Sequence, residues 1–246
     1  MKQVLCFAVC AGLSAHTVLA QNVQESKIYL AVNGGYQLTK NSFADGAVKR
    51  ENAEDGRFDT TYDVKAGPSF SVAGGANLRR QFGVGVGVNR ISGASSSHLN
   101  GLIPHPFFFN RPRLVSGDVS GLKREELALH IQARVTVPVK RSLQVTGFGG
   151  PSVFQVKQGM VTDFSYSDSY PYDEAAFRNG VTETRKASKI GFNIGADVGF
   201  FFSRQVGVGF SAQFSGATVS LKSASGGTVD VKAGGAQLGG GLRLKL

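Results

Sequence analysis

The stretch IGFNIGADVGFFF, residues 190–202, and the stretch VGVGFSAQF, residues 206–214, are separated by the tripeptide SRQ. In both stretches the even positions carry Ile, Phe, Ala or Val, and nearly all odd positions carry Gly or a polar residue. This alternation predicts a β-strand with one apolar face. Two such strands joined by a short polar turn form a hairpin. Each run holds nine or more residues, and about 9–11 tilted residues are enough for a strand to cross a bilayer.

The same alternation recurs along the chain. The sequence predicts eight strands, at about residues 27–38, 58–78, 82–91, 126–139, 143–157, 190–202, 206–221 and 229–246. The fifth segment changes phase between Leu143 and Phe154, and we interpret Gly149-Gly-Pro151 between them as a β-bulge.

The predicted connections alternate between two kinds. Residues 79–81, 140–142 and 203–205 are short, polar and basic, whereas residues 39–57, 92–125, 158–188 and 222–228 are longer, the last only modestly so. Outer-membrane barrels sort their connections in this way, with short periplasmic turns and longer external loops. The turn at Arg204 is therefore expected on the periplasmic side.

Composition and the N-terminus agree with export and a β fold. The chain has 33 Gly and no Trp. A transmembrane helix needs an apolar run of about 18 residues, and the sequence contains no run of this length. Lys2, the apolar segment 4–13 and a small residue at Ala20 predict a cleaved signal peptide at residues 1–20. Both cysteines, Cys6 and Cys10, fall inside it, so the predicted barrel domain, residues 21–246, has no thiol chemistry.

The two strand faces predict a fold class: an all-β, eight-stranded antiparallel up-and-down transmembrane β-barrel. The interior of such a barrel is just filled by side chains, and an apolar face this rich in Phe is expected to face lipid. The polar side chains expected to line the lumen are His130, Gln132, Arg134, Asn193, Asp197, Gln213, Gln237 and Arg243. We interpret them as a hydrogen-bonded plug. The alternative is a narrow ion path lined by Arg134 and Arg243, and a soluble barrel with its apolar face inside is a further alternative.

One long loop offers a candidate contact surface. Phe107, Phe108 and Phe109 are consecutive and lie beside Arg111 and Arg113. Exposed aromatic rings with cations are typical of a headgroup or partner interface. The alternative, which the sequence favours, is that the rings pack onto the barrel rim or enter lipid.

A second long loop is acidic and rich in tyrosine. Its Asp163, Asp168, Asp173 and Glu174 could hold Ca²⁺, but their spacing matches no known calcium loop, and a solvated loop is expected instead.

Other function classes find little support. The net charge of +10 is dispersed, without a nucleic-acid-binding signature, and suits anionic lipid or lipopolysaccharide. Nucleotide loops, nucleophile elbows and Cys/His clusters are absent from the sequence, so no enzyme activity, cofactor or metal is expected. A lipid hydrolase with an outward Ser and His is disfavoured because the parity of His130 points it inward.

The alternation, the sorted loops and the closing strand GGAQLGGGLRLKL, residues 234–246, resemble the OmpA-like, porin-family outer-membrane barrel domains across residues 21–246. The resemblance implies a cell outer membrane of Gram-negative type and insertion by the barrel-assembly machinery. Family members usually end in an aromatic residue, and this chain ends in Leu246. The expected function is a plugged barrel with a structural, adhesive or ligand-binding role. A narrow channel for ions or very small solutes is the alternative, and a surface lipid-modifying enzyme is the third.

Overall fold

The structure, a computed structural model, describes residues 28–246. The predicted signal peptide and the start of the first predicted strand at Lys27 lie outside the described residues. Within the described part of the chain, no helix is long and apolar enough to cross a membrane. The strands of the described residues are β1 Ile28–Gln37, β2 Asn41–Glu51, β3 Glu54–Val64, β4 Gly67–Arg79, β5 Phe82–Ile103, β6 Arg113–Lys140, β7 Leu143–Asp168, β8 Ala175–Phe201, β9 Val206–Lys222 and β10 Thr228–Lys245.

Eight of these strands close into an antiparallel ring. β1 pairs with β4 on one side and with β10 on the other, and β4 to β10 continue around the ring as neighbouring pairs. The β2–β3 hairpin is inserted between β1 and β4 in the chain, and β3 pairs with one half of β5. The predicted eight-stranded up-and-down barrel is confirmed. We call the end with the short turns, between β4 and β5, β6 and β7, and β8 and β9, the lower end.

The strands extend further than the sequence predicted. The predicted second strand is two strands, β3 and β4, separated by Lys65 and Ala66. The predicted loop at residues 39–57 is largely the β2–β3 hairpin, whose turn has positive φ angles at Asn52 and Ala53. The predicted loops at residues 92–125 and 158–188 are also mostly strand, because the β5–β6 and β7–β8 hairpins continue upward.

The outward face of the lower half is apolar, as predicted. On β8, Phe192 and Phe200 are exposed, whereas Asn193 and Asp197 are buried. The outward residues of this zone, which we call the apolar band, include Val84, Val86 and Val88 on β5, Leu127, Leu129 and Ile131 on β6, and Ile190, Phe192, Ile194 and Phe200 on β8. At about 3.3 Å per residue and a tilt of about 45°, residues 127–139 rise roughly 28 Å, which matches the hydrocarbon core of a bilayer.

Above the apolar band, the inward face of the barrel strands becomes apolar and the outward face becomes polar. The odd positions of β5 face inward along the strand, and they change from Asn89 in the lower half to Leu99 and Ile103 in the upper half. The outward positions change in the opposite sense, from Val88 to exposed His98. The upper half therefore has an apolar interior and a polar surface, as a water-soluble protein does.

The upper interior is one apolar core. It includes Phe58, Tyr62, Leu99, Ile103, Val115, Leu122, Met160, Val161, Phe164, Leu221 and Val231. Phe58 and Phe164 pack edge to face with ring centroids 5.2 Å apart. The Tyr62 hydroxyl accepts a hydrogen bond of 2.8 Å from the Val161 backbone N–H, and burial raises the pKa of Tyr62 to about 12. The core residues come from β3 and from five strands of the ring, β5, β6, β7, β9 and β10. The core therefore closes the barrel above the lumen.

The predicted β-bulge in β7 is wrong. The pairing of β6 with β7 keeps one register from His130 opposite Ser152 to Ala133 opposite Gly149. The even positions of β7 stay inward throughout, and Phe154 is buried on the same face as Ser152. Phe154 and Val156 belong to a small apolar cluster with Ala128, Val219 and Ala233. On β7 this cluster lies above Ser152 of the polar lumen and below the buried Gln158.

The upper parts of β7 and β8 form an arm of their own. β8 pairs with β9 only from Phe192 to Phe201, and β6 pairs with β7 only from Arg124 downward. The arm folds over β6, where the ring of Phe177 lies so close to Gly117 that a Cβ atom there would be 2.2 Å from it. The arm and the upper β5–β6 hairpin therefore enclose the apolar core from two sides.

Candidate functional site

The lower interior holds a polar lumen. Seven of the side chains predicted to line it, His130, Gln132, Arg134, Asn193, Asp197, Gln237 and Arg243, are buried, and the eighth, Gln213, is half-buried. They come from β6, β8, β9 and β10, and the alternation places all of them on inward faces.

Asp197 and Arg243 form a buried ion pair. The Nε atom of Arg243 donates to both carboxylate oxygens of Asp197, at 3.0 and 3.1 Å, and Nη2 makes a further hydrogen bond to the same carboxylate. A guanidinium that donates two parallel hydrogen bonds to a carboxylate is a strong and geometrically specific contact. The pair neutralises two charges that would be costly to bury alone.

Arg134 has a different partner. Its guanidinium carbon lies 3.5 Å from the centroid of the Tyr29 ring, a cation–π contact between β6 and β1. Within the described residues Arg134 forms no ion pair with a carboxylate. The lumen therefore holds Arg134, Asp197 and Arg243 with an excess of one positive charge.

Amide and hydroxyl groups link the next layer. The amide of Gln132 donates to Asn193 at 3.1 Å, and Asn193 donates to the Ser152 hydroxyl at 2.9 Å. The two ring nitrogens of His130 lie 2.7 Å from Ser152 Oγ and 3.2 Å from Gln213 Nε2. This network ties β6, β7, β8 and β9 together across the lumen.

One small cavity lies among the lumen side chains. A cavity of about 20 Å³ is lined by residues that include Asn33, Ser71, Gln213 and Gln237, a volume that suits about one water molecule. Gln237 also accepts a hydrogen bond from the amide of Asn89. This contact extends the hydrogen-bonded network to β5 and β10.

A second buried ion pair lies between the lumen and the apolar core. Arg124 donates to the Glu126 carboxylate at 2.6 and 2.8 Å and to Gln158 at 3.1 Å, and both ions are 3% exposed. The second carboxylate oxygen of Glu126 accepts from the Gly234 N–H at 2.8 Å. This pair was not predicted, because Arg124 falls in the segment of residues 92–125 that the sequence pattern assigns to a loop. The signal available in the sequence was the spacing of Arg124 and Glu126, two opposite charges that lie two residues apart and therefore on the same face of a strand.

The upper end carries an exposed aromatic turn. Phe107, Phe108 and Phe109 are 69%, 55% and 72% exposed. Tyr170 and Tyr172 lie beside them in the neighbouring loop, and the ring centroids of Phe107 and Tyr172 are 5.3 Å apart. We call these five residues together with Arg111 the aromatic end surface. The three rings are exposed and not packed onto the barrel rim, and residues 113–126 of β6 lie between them and the apolar band.

The turn that presents the phenylalanines is held in place. The buried ring of His105 accepts backbone hydrogen bonds from Phe107 and Phe108 through Nδ1, at 3.1 and 3.2 Å. The Asn110 N–H donates to the Glu54 carboxylate at 2.9 Å, across to the β2–β3 hairpin. These bonds give the three phenylalanines a defined backbone.

The two arginines of this surface have different positions. Arg111 is exposed, pairs with Asp173 at 2.9 Å and lies 5.6 Å from the Phe108 ring centroid. Arg113 was predicted as a contact residue, and this is wrong, because it is buried. It donates to Asp168 at 2.8 Å and to the backbone carbonyls of Tyr172 and Pro104. Arg113 therefore joins the two loops from beneath.

The acidic loop residues serve these contacts. Asp168 binds Arg113, Asp173 binds Arg111, and Asp163 accepts a hydrogen bond of 2.7 Å from Lys49. Within residues 28–246, no group of three or more His, Cys, Asp or Glu side chains is arranged to hold a metal ion.

Comparisons with known proteins agree with this architecture. No protein-family model matches the sequence, and no curated protein matches it. Among solved structures, the fold is similar to the outer membrane protein OprG from Pseudomonas aeruginosa, with a TM-score of 0.50 and 9% identity over 90% of this chain and 97% of that chain.

Two further similarities are lower in TM-score. Neisserial surface protein A gives a TM-score of 0.46 and 11% identity over 89% of this chain and 97% of that one. The outer membrane protease OmpT from Escherichia coli gives 0.40 and 9% identity over 93% and 99%. At these identities the likeness concerns the fold, that of outer-membrane β-barrels, and the narrower OmpA-like assignment stays a prediction.

Proposed function

We propose that this chain is an integral protein of a Gram-negative-type outer membrane that displays the aromatic end surface as an adhesive or ligand-binding site. The observation that carries the proposal is the exposure of three consecutive phenylalanines on a turn held by specific hydrogen bonds. Exposed apolar clusters on an otherwise polar surface typically mark interaction sites.

The position of the surface supports display away from the cell. From residue 127 to residue 113, β6 rises roughly 30 Å above the apolar band at about 3.3 Å per residue and a similar tilt. A ligand at this height would be reached beyond the headgroups of the surrounding lipid. Because the turn is already ordered, binding would require little additional ordering of the protein.

The chemistry of the surface favours a protein or glycan ligand over a lipid bilayer. Tyr and Arg are enriched at binding hot spots, where aromatic rings fill pockets of the partner. Arg111 is paired with Asp173, and Arg113 is buried against Asp168, so neither arginine is left unpaired for a lipid phosphate.

Replacement of Phe107, Phe108 and Phe109 by Ser tests the proposal. The native protein, folded in detergent, is screened for binding to a glycan array and to immobilised extracellular-matrix proteins. We expect the triple variant to lose at least tenfold in affinity for whatever the native protein captures. A control variant, Val48→Ser with Val181→Ser, removes exposed apolar side chains elsewhere in the upper half. Equal binding by the native protein and the triple variant would contradict the proposal.

The hydrogen bonds across the lumen support the plugged barrel over the narrow channel. His130 is buried inside the lumen and offers no catalytic group to surface lipid. A role as a lipid-modifying enzyme is therefore not proposed.

A further inference from the structure

A cluster of cations lies on the outer side of the barrel just above the apolar band. Arg90 on β5, Lys123 on β6, Lys157 on β7 and Lys186 on β8 are all exposed, and we call them the basic patch. They occupy four neighbouring strands and surround one carboxylate, that of Glu125.

The strand register fixes the height of the basic patch. Leu129, Val153 and Ile190 lie opposite one another on β6, β7 and β8, and all three face outward in the apolar band. Lys157 and Lys186 lie opposite one another two outward positions higher, where β6 contributes Glu125. Four residues of tilted strand rise roughly 9 Å, and a lysine stem can reach down toward the headgroups.

The charges of the basic patch are not balanced within the described residues. Glu125 lies 3.3 Å from Lys157 and 3.6 Å from Arg90, so one carboxylate serves two cations. Lys123 and Lys186 form no ion pair within residues 28–246. Lys157 and Lys186 lie directly opposite each other, a like-charge arrangement that destabilises a sheet unless an anion lies between the two groups.

We propose that the basic patch binds the phosphate groups of an anionic glycolipid in the outer leaflet around the barrel. The patch faces sideways along the membrane surface, so the molecules that approach it are lipid headgroups. Cations near an anionic leaflet are attracted to its phosphates, and charge-assisted hydrogen bonds to phosphate are strong. The inference rests on the proposed membrane location but does not depend on the aromatic end surface.

Native mass spectrometry of the full chain in detergent tests the inference. The probes are bisphosphorylated lipid A, its monophosphorylated form and zwitterionic phosphatidylcholine. In the variant Lys123→Gln, Lys157→Gln, Lys186→Gln, affinity for bisphosphorylated lipid A should fall by on the order of 100-fold, since each lysine beside an anionic lipid contributes about fivefold. Affinity for phosphatidylcholine should stay the same, and the monophosphorylated form should bind the native protein more weakly than the bisphosphorylated form does.

Two further variants sharpen the result. Arg79→Gln, Arg80→Gln, Arg204→Gln removes the same charge from exposed positions at the lower end and should change binding less than twofold. Glu125→Gln removes the competing carboxylate and should tighten binding severalfold. Equal losses in both triple variants, or weaker binding by Glu125→Gln, would overturn the basic patch while leaving the membrane location standing. Failure of the native chain to insert into lipid vesicles would overturn both.

Discussion

At the scale of single residues, the lumen shows why a charge inside a narrow barrel needs a specific neighbour. Asp197 and Arg243 are 10% and 5% exposed at the side chain and satisfy each other through several hydrogen bonds. Arg134 instead rests on the Tyr29 ring, which supplies electron density without a second charge. The buried charge of Arg243 is therefore stabilised by a carboxylate, whereas that of Arg134 is stabilised by an aromatic ring.

The first prediction concerns the carboxylate of this pair. Asp197→Asn should destabilise the folded barrel by about 3–5 kcal/mol, because Arg243 is left as a buried charge without its counterion. Urea unfolding in lipid vesicles, followed by circular dichroism and by gel mobility before and after boiling, measures the change. Asp230→Asn, at an exposed position, is the control. A change below about 1 kcal/mol in Asp197→Asn would show that water replaces the carboxylate.

At the scale of strands, the sequence was most informative where one face meets lipid. The even apolar positions from Ile190 to Phe214 were correctly assigned to the outward face, because lipid imposes a strict period of two on the tilted strand. The same assumption failed above the apolar band, where the environment is reversed. Phe154 was assigned to a changed phase, but the strand keeps the alternation that starts at Leu143 and Val145, which places Phe154 on the inward face, in an apolar interior.

Strand length and side-chain depth were less predictable from sequence. The upper parts of β5 to β8 have polar outward residues and were assigned to loops, since their alternation is weaker than that of the lower half. Arg113 was assigned to the surface with Arg111. Arg113 is buried because its strand packs against the strand that carries Asp168, and the residues next to Arg113 in the sequence do not reveal that long-range contact.

The second prediction separates the two halves of the strands. Phe164 belongs to the upper apolar core, and Phe164→Ala should cost about 3–5 kcal/mol by leaving a cavity there. The loss should loosen the upper half first, seen as faster hydrogen exchange and proteolysis in residues 92–125 and 158–188. Phe192→Ala, in the apolar band, should leave exchange in those residues unchanged. Identical exchange in the native protein and Phe164→Ala would show that the upper core does not hold the arm in place.

At the scale of the whole molecule, the barrel is closed twice along its axis. Hydrogen-bonded side chains cross the polar lumen, and the apolar core lies above it. A solute that passed the polar lumen would next meet the apolar core. The molecule is therefore built in two layers that require opposite surroundings, lipid outside the lower layer and water outside the upper one.

The third prediction follows from the double closure. In planar bilayers we expect no reproducible conductance steps from the native protein and none from Arg243→Ala, because the apolar core still closes the path. Arg243→Ala combined with Leu99→Ala and Phe58→Ala opens both layers and should conduct if the fold survives, which the boiling-dependent gel shift checks. Steps from Arg243→Ala alone would show that the polar lumen is the main barrier.

The continuity of β5 and β6 has a mechanical consequence. β6 runs for 28 residues from Arg113, next to the aromatic turn, to Lys140 at the lower end, and β5 runs beside it along most of that length. A pull on the turn acts nearly along these strands, so many backbone hydrogen bonds share the tension at once and are not broken one after another. In the proposed adhesive role, a particle bound to the three phenylalanines would be anchored by the eight-stranded ring itself, and a steady force would have to pull that ring out of the membrane to release the particle.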